Sequence, residues 1–369
     1  MKVIIGCGGT GGHITPALAI ADLIKERLPG SEIVFVGAKG GMEEELVTSA
    51  GYPIRTLRVM GFSRRLTTAN VKAAYYALRS VSEATELLRA FSPDIVIGTG
   101  GYASYPALRA AIRLGIPCAV HESNAIPGLA VRRLSARVDR VWLNFEKAEQ
   151  GLSQGASVRV VGNPVGKGYR IPKPIRLPHG TSRMLLSFGG SLGAREVNKA
   201  VLSLMEKEKA MPHLYHLHAT GKREYDAMRA EFSARGLERY SNLALVPFLD
   251  DMPCYMAAAD VVICRAGAMS ISELAALARP AILIPSPNVT GNHQYENARA
   301  LAEAGAAVLI EERELAGDVL RETALRLIAQ EGERARLSNA IRAFHNPRSN
   351  AEIFDDICCL CEKNTEKRG

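Results

Sequence analysis

Short apolar runs alternate with amphipathic stretches along most of the chain. The runs at residues 2–7, 33–36, 95–97 and 118–121 are too short for helices and end in glycine or polar turns, so they predict strands. Between the first two, Ala17, Ile20, Ala21, Ile24 and Leu28 recur at helical spacing. Thr15 and Pro16 read as the N-cap and first turn of that helix. Strand–turn–helix alternation of this kind predicts parallel sheets with helices on both faces, the α/β class.

The pattern then restarts. Residues 163–183 are rich in proline and basic residues and read as a linker, because proline interrupts both helix and sheet. A new strand at 183–188 runs into Gly189, Gly190 and Gly193, much as the first strand runs into Gly8, Gly9, Gly11 and Gly12. Two such openings predict two Rossmann-like domains with parallel sheets separated by a cleft, at residues 1–163 and 164–346. The last segment, 347–369, reads as a helix whose spacing does not say which domain it packs on.

Composition narrows the class. With 369 residues there is chain enough for two cores, and 47% hydrophobic against 23% charged residues is an ordinary globular balance. Seven cysteines, an odd number, argue for reduced thiols rather than a disulfide framework. No run reaches the length of a membrane span, and the N-terminus lacks the pattern of a signal peptide, which predicts a cytoplasmic protein. A net charge of +8 favours an anionic partner. Nucleic acid is disfavoured, since aromatics are only 6% and no binding module appears.

The chemistry sits in glycine loops. Gly6, Gly8 and Gly11 match the dinucleotide fingerprint, whose glycines permit close backbone approach to a ligand. No acidic residue stands at 35–38 to hold a ribose, which argues against NAD. A second loop, Gly98-Thr99-Gly100-Gly101-Tyr102, also follows a strand, and no P-loop lysine motif occurs. In the second half, a strand at 261–263 leads into a turn with Arg265 and Gly267, then Ser270, Ser272 and Glu273 at a helix start. A helix N-terminus suits a diphosphate, and Glu273 suits ribose hydroxyls, the alternative being a capping box. Residues 292–297 offer a polar helix start, with His293 and Gln294 able to meet sugar hydroxyls.

Taken together the motifs resemble the MurG family of peptidoglycan glycosyltransferases along nearly the whole chain. The matching pieces are residues 8–13, 98–102, 121–124, 162–164, 189–194, 250–252, 264–273 and 293–294. The resemblance implies a GT-B fold, with UDP-N-acetylglucosamine held by the second domain and the final helix returning to the first. It implies that uracil meets the backbone near Leu249. Ser191, Arg265 and the segment Ala268, Met269, Ser270, Ile271, Ser272 and Glu273 would serve diphosphate and ribose. Gln294, with His293 beside it, would contact the sugar, while Thr10, Gly11, Gly12 and Asn124 line the opposite wall. Two positions depart from the family: Ser123 replaces a glutamine, and Gly166 stands where an arginine follows the Gly162-Asn163-Pro164 turn, with Lys167 and Arg170 nearby.

The implied reaction moves N-acetylglucosamine, with inversion, to the 4-hydroxyl of N-acetylmuramic acid on undecaprenyl diphosphate (lipid I), giving lipid II. A sugar hydroxyl needs a base, and His13 leads, with Glu122 second. No Asp-x-Asp occurs, so no cofactor or obligatory metal is expected, and neither His213, His216 and His218 nor Cys358, Cys359 and Cys361 has convincing metal spacing. The lipid acceptor implies peripheral contact with the cytoplasmic face of the membrane. The segment Phe62–Leu66, with Lys72, Tyr76 and Arg79 on the following helix, is the candidate surface. Other cell-wall enzymes are candidate partners. The rival activities are a UDP-sugar epimerase and a diacylglycerol glycosyltransferase.

Overall fold

A computed structural model describes residues 1–59, 68–190 and 193–368. The chain divides into two compact units, residues 1–166 with 346–369, and residues 167–345. The first holds seven strands: β1 (Lys2–Gly6), β2 (Glu32–Ala38), β3 (Ile54–Leu57), β4 (Ile95–Gly98), β5 (Cys118–Glu122), β6 (Arg140–Leu143) and β7 (Val158–Val160). All pair in parallel, in the order β3-β2-β1-β4-β5-β6-β7. The second holds β8 (Arg183–Phe188), β9 (Leu214–Ala219), β10 (Leu243–Val246), β11 (Val261–Cys264), β12 (Ala281–Leu283) and β13 (Val308–Leu309). These too are parallel, in the order β10-β9-β8-β11-β12-β13. In each sheet the order reverses beside the first strand, so each has one switch point where ligands bind in open α/β sheets.

Burial explains the parallel pairing. Alternate residues of the central strands feed opposite cores. Val3, Ile5, Ile95 and Ile97 pack with Ile14, Ile20 and Ile24 on one face. Ile4, Val96 and Val120 pack with Leu88, Leu108 and Ala111 on the other. Each fully buried side chain of this size contributes roughly 1.5–3 kcal/mol against exposure.

The helix Ser349–Arg368 belongs to the first unit, where Ile353, Ile357 and Leu360 enter the first of these cores. Its Asp356 is buried, accepts the Trp142 Nε1–H bond at 2.9 Å and pairs with Arg159 at 2.8 Å and Arg140 at 3.0 Å. Asp356→Ala strands that indole donor and two guanidinium groups. We expect a loss of about 2 kcal/mol, moderated because both arginines reach water. Urea unfolding followed on Trp142, the chain's one tryptophan, measures it.

Two sequence expectations are corrected. The first helix begins at Gly11, not at Thr15, and Pro16 lies inside it. Thr10 is the extended N-cap residue, and its carbonyl accepts from His13 and Ile14. Pro16 costs one helical hydrogen bond, to Gly12, which the burial of Ile14, Ala17 and Ile20 outweighs. Nor is 163–183 a bare linker. It carries a short helix, Lys167–Arg170, and Tyr169, Ile175 and Leu177 pack on the second unit's core.

His216 and His218 share a face of β9, but their ring nitrogens serve a buried network instead of a metal. Ser187 Oγ lies 2.7 Å from His216 Nε2 and 2.8 Å from His218 Nδ1. Glu208 and Asn198 take the other two nitrogens. Burial lowers the His218 pKa to about 3, so that ring is neutral.

Candidate functional site

In the first unit the two glycine loops follow β1 and β4, the strands that flank the switch point. They are laced together around His13. Its Nδ1 lies 3.0 Å from the Thr99 carbonyl, and Thr99 Oγ1 donates to the His13 carbonyl at 2.6 Å. A carbonyl only accepts, so Nδ1 carries the proton in this bond. The glycines make this possible. A Cβ on Gly100 would come within 2.7 Å of His13 Nδ1, and one on Gly101 within 2.1 Å of the Gly8 carbonyl. Thr10 and Gly12 are exposed at the rim, with Gly11 half-buried between them.

Glu43, which sequence reasoning missed, underpins this loop. It is fully buried and accepts from Ala38 N at 2.8 Å and Gly9 N at 3.2 Å. A Cβ on Gly41 would overlap only the Glu43 carboxyl group, at 2.5 Å. The only trace in the sequence is the run of glycines at 37, 40 and 41 that leaves it room. Glu43→Ala should cost about 2 kcal/mol, chiefly for the buried Ala38 N–H. Glu43→Gln, which still accepts one bond, should cost less. Chemical denaturation of the two variants checks this order.

Glu122, at the end of β5, is buried and accepts three bonds, from Asn124 N at 3.0 Å, Asn124 Nδ2 at 3.1 Å and Gly128 N at 2.8 Å. These bonds shape the loop that presents Asn124. His121 is held neutral, its pKa lowered to about 4 by burial, and Nε2 meets the Gly162 carbonyl at 3.1 Å. Ser123, one of the departures, is buried against His121.

In the second unit the switch point lies between β8 and β11. Ser191 falls outside the described residues. Gly193 has positive φ and a Cβ there would lie 2.4 Å from the Thr220 carbonyl, which accounts for the glycine. After β11 the helix Ala268–Ala276 begins, with Gly267 as N-cap. Its first-turn N–H groups, from Ala268 to Ser270, have no acceptor within the helix. Ile271 is in the core and Ser272 Oγ bonds back to the Ala268 carbonyl at 3.1 Å, so those two side chains face inward.

Glu273 lies in the second turn of this helix, so it is no capping-box acid; the N-cap position carries no side-chain cap bond. It is buried and hydrogen-bonded to Tyr169, and burial pushes its carboxyl pKa up to about 8, partly offset by that bond. Burial raises the Tyr169 hydroxyl in turn, with the Glu273 charge second. Tyr169 therefore comes from the segment after the Gly162 turn, where the sequence pointed to Lys167 or Arg170; both of those are exposed.

Arg265 is committed to protein partners. It is ion-paired with Glu312 and donates to the carbonyls of Ile284 at 3.3 Å and Pro285 at 3.2 Å. Gln294 lies in the first turn of the helix His293–Glu303, and its Oε1 accepts from Ser286 N at 2.9 Å. The same neighbourhood bounds a cavity of about 780 Å³ lined by Ser286, Asn292, Tyr295 and Glu312 among others. Leu249 is buried after β10, next to the exposed Phe248.

The arrangement offers helix-start donors, a buried carboxyl and an oriented amide in one unit, and a tautomerically fixed imidazole in the other. Comparison with known proteins decides the family. Residues 3–143 match the glycosyltransferase family 28 N-terminal domain, and residues 184–352 match the glycosyltransferase family 28 C-terminal domain. A relative from Acetivibrio thermocellus, named UDP-N-acetylglucosamine–N-acetylmuramyl-(pentapeptide) pyrophosphoryl-undecaprenol N-acetylglucosamine transferase, is 39% identical, with 97% of each chain covered. The chain belongs to the MurG branch of glycosyltransferase family 28.

Acinetobacter baumannii MurG superposes with a TM-score of 0.73 at 26% identity, covering 96% of this chain and 98% of that one. The fold is therefore GT-B, built from two Rossmann-like units with parallel sheets. A UDP-GlcNAc 2-epimerase from Neisseria meningitidis shares the fold at a TM-score of 0.64, but at 15% identity (96% and 99% covered) the likeness extends to fold alone. The segment 62–66 lies outside the described residues. Arg79 on the helix Thr68–Phe91 pairs with Glu83 at 2.9 Å. No helix among the described residues is long and apolar enough to cross a membrane.

Proposed function

We propose that the chain transfers N-acetylglucosamine from UDP to the 4-hydroxyl of N-acetylmuramic acid in lipid I, with inversion, making lipid II. The observation that carries this reading is the 39% identity over 97% of the chain to a transferase of that name. Within family 28 the assignment rests on the whole motif series and not on the fold, which an epimerase shares.

The residues divide the work as follows. The second unit holds the donor. Main-chain groups near Leu249 meet uracil, and the N–H groups opening the helix Ala268–Ala276, with Ser191, meet the diphosphate. Glu273 accepts from the ribose hydroxyls, and Gln294 with His293 meets the sugar. The first unit holds the acceptor against Thr10, Gly11, Gly12 and Asn124. The acceptor hydroxyl attacks the anomeric carbon as its proton passes to His13 Nε2. The bond from that carbon to the β-phosphate oxygen breaks, and UDP leaves as an anion stabilised by the helix start. Glu122 shapes the Asn124 loop through its three hydrogen bonds. No step calls for a metal.

The acceptor is a lipid, so the enzyme works at the cytoplasmic face of the membrane as a peripheral protein. The net charge of +8 suits an anionic surface. Incubation with UDP-N-acetylglucosamine alone, followed by NMR, separates the rival chemistry. The transferase leaves the sugar's C2 configuration intact, whereas appearance of the manno epimer makes the chain an epimerase.

A further inference from the structure

Arg265 stands beside the proposed donor site, and its guanidinium is engaged by three protein acceptors. One terminal nitrogen pairs with Glu312 and the other donates to the Ile284 and Pro285 carbonyls. Both partners of the pair are largely buried, with side chains 13% and 18% exposed. The strand end they grip continues into Ser286, whose N–H donates to Gln294 Oε1. That bond fixes which way the Gln294 amide points, because its oxygen is occupied and its NH2 faces the other way. Glu312 opens the short turn Glu312–Ala316, and the cavity beside Gln294 is lined by both Ser286 and Glu312.

We infer that Glu312 is a positioning residue for donor sugar recognition, acting through Arg265 and the Pro285–Ser286 backbone on Gln294. This rests on the donor-site reading above. The role it assigns to Arg265 differs from diphosphate binding: the guanidinium is neutralised by Glu312 and aims a neutral hydrogen-bonding group at the sugar. A planar fork that joins one carboxylate and two carbonyls is a task for arginine, and lysine does not reproduce it.

Two ligands separate the roles. UDP carries the base, ribose and diphosphate but no sugar, while UDP-N-acetylglucosamine carries all four. Calorimetric titration of both ligands into wild type, Glu312→Gln and Arg265→Lys tests the inference. We expect each variant to weaken UDP-N-acetylglucosamine about fivefold to tenfold, the size of one misdirected neutral hydrogen bond, with UDP held within about twofold. Retained UDP affinity shows that the fold is intact. A Glu312→Gln protein that binds UDP more tightly overturns the inference, because Glu312 would then compete with phosphate for Arg265. Equal losses for both ligands in Arg265→Lys also overturn it, placing arginine on the diphosphate. So does no change in either variant. If wild type itself fails to bind UDP-N-acetylglucosamine, it is the donor reading that falls.

Discussion

Glu273→Ala is expected to lower kcat/KM for UDP-N-acetylglucosamine by about a hundredfold or more, the equivalent of two hydrogen bonds to a charged group. The carboxyl is buried and hydrogen-bonded to Tyr169, and on the proposed reading it accepts from a vicinal diol. Its pH dependence follows from the same burial. The carboxyl pKa stands raised, from an ordinary 4.5 to about 8. The folded protein therefore holds this proton more tightly than the unfolded chain does. The stabilisation is fully present below about 4.5 and is lost as pH rises through about 8. On the proposed reading donor binding runs the opposite way, since ribose hydroxyls would donate to the carboxylate. Affinity for UDP-N-acetylglucosamine should rise with pH up to about 8 and then level off, with a proton released below that point. In Glu273→Gln the slope should vanish. Calorimetry in buffers of different ionisation enthalpy reads the proton directly.

His13→Ala is expected to reduce kcat by about 10²–10⁴, the usual contribution of a positioned base. Its affinity for UDP-N-acetylglucosamine should stay unchanged, because the proposed donor site lies in the other unit. The tautomer makes the assignment specific. Nδ1 donates to Thr99, so on the proposed reading Nε2 is the nitrogen that takes the acceptor proton. His13→Gln has no comparably basic nitrogen and should be nearly as slow. Single-turnover transfer with saturating donor measures both variants. A variant that keeps kcat but loses acceptor affinity would make His13 a binding residue.

The glycine loops were legible in the sequence because their constraint is local. Positive φ at Gly9, Gly100 and Gly101, with no room for a Cβ at the last two, favours glycine whatever lies elsewhere. The central strands were legible for a similar reason: a parallel strand buried on both faces reads as an unbroken apolar run. The outer strands β3, β6, β7, β10 and β13 were not. β3 reads Ile-Arg-Thr-Leu at a sheet edge, and β13 has two residues.

The missed residues are those whose roles depend on distant partners. Glu43 lies in an acidic helix start, Met42–Ser49, that looks like any dipole-compensating turn, until its carboxylate is seen beneath Gly9. Glu312 is one of several acids in a short turn, and its partner Arg265 lies in another segment. Tyr169 was hidden by the prolines around it, which argued for a linker. Proline blocks long elements, but it does not prevent a four-residue helix from docking. Thr15 and Pro16 misled for a related reason: a proline near a helix start looks like a first-turn residue, and here the helix had already begun at Gly11.

The most direct test of the account is to incubate the purified protein with radiolabelled UDP-N-acetylglucosamine and a lipid I analogue and follow label into the lipid fraction. The account predicts transfer that requires the analogue and is lost in a folded Glu273→Ala variant. No transfer under conditions where Acinetobacter baumannii MurG is active would contradict it.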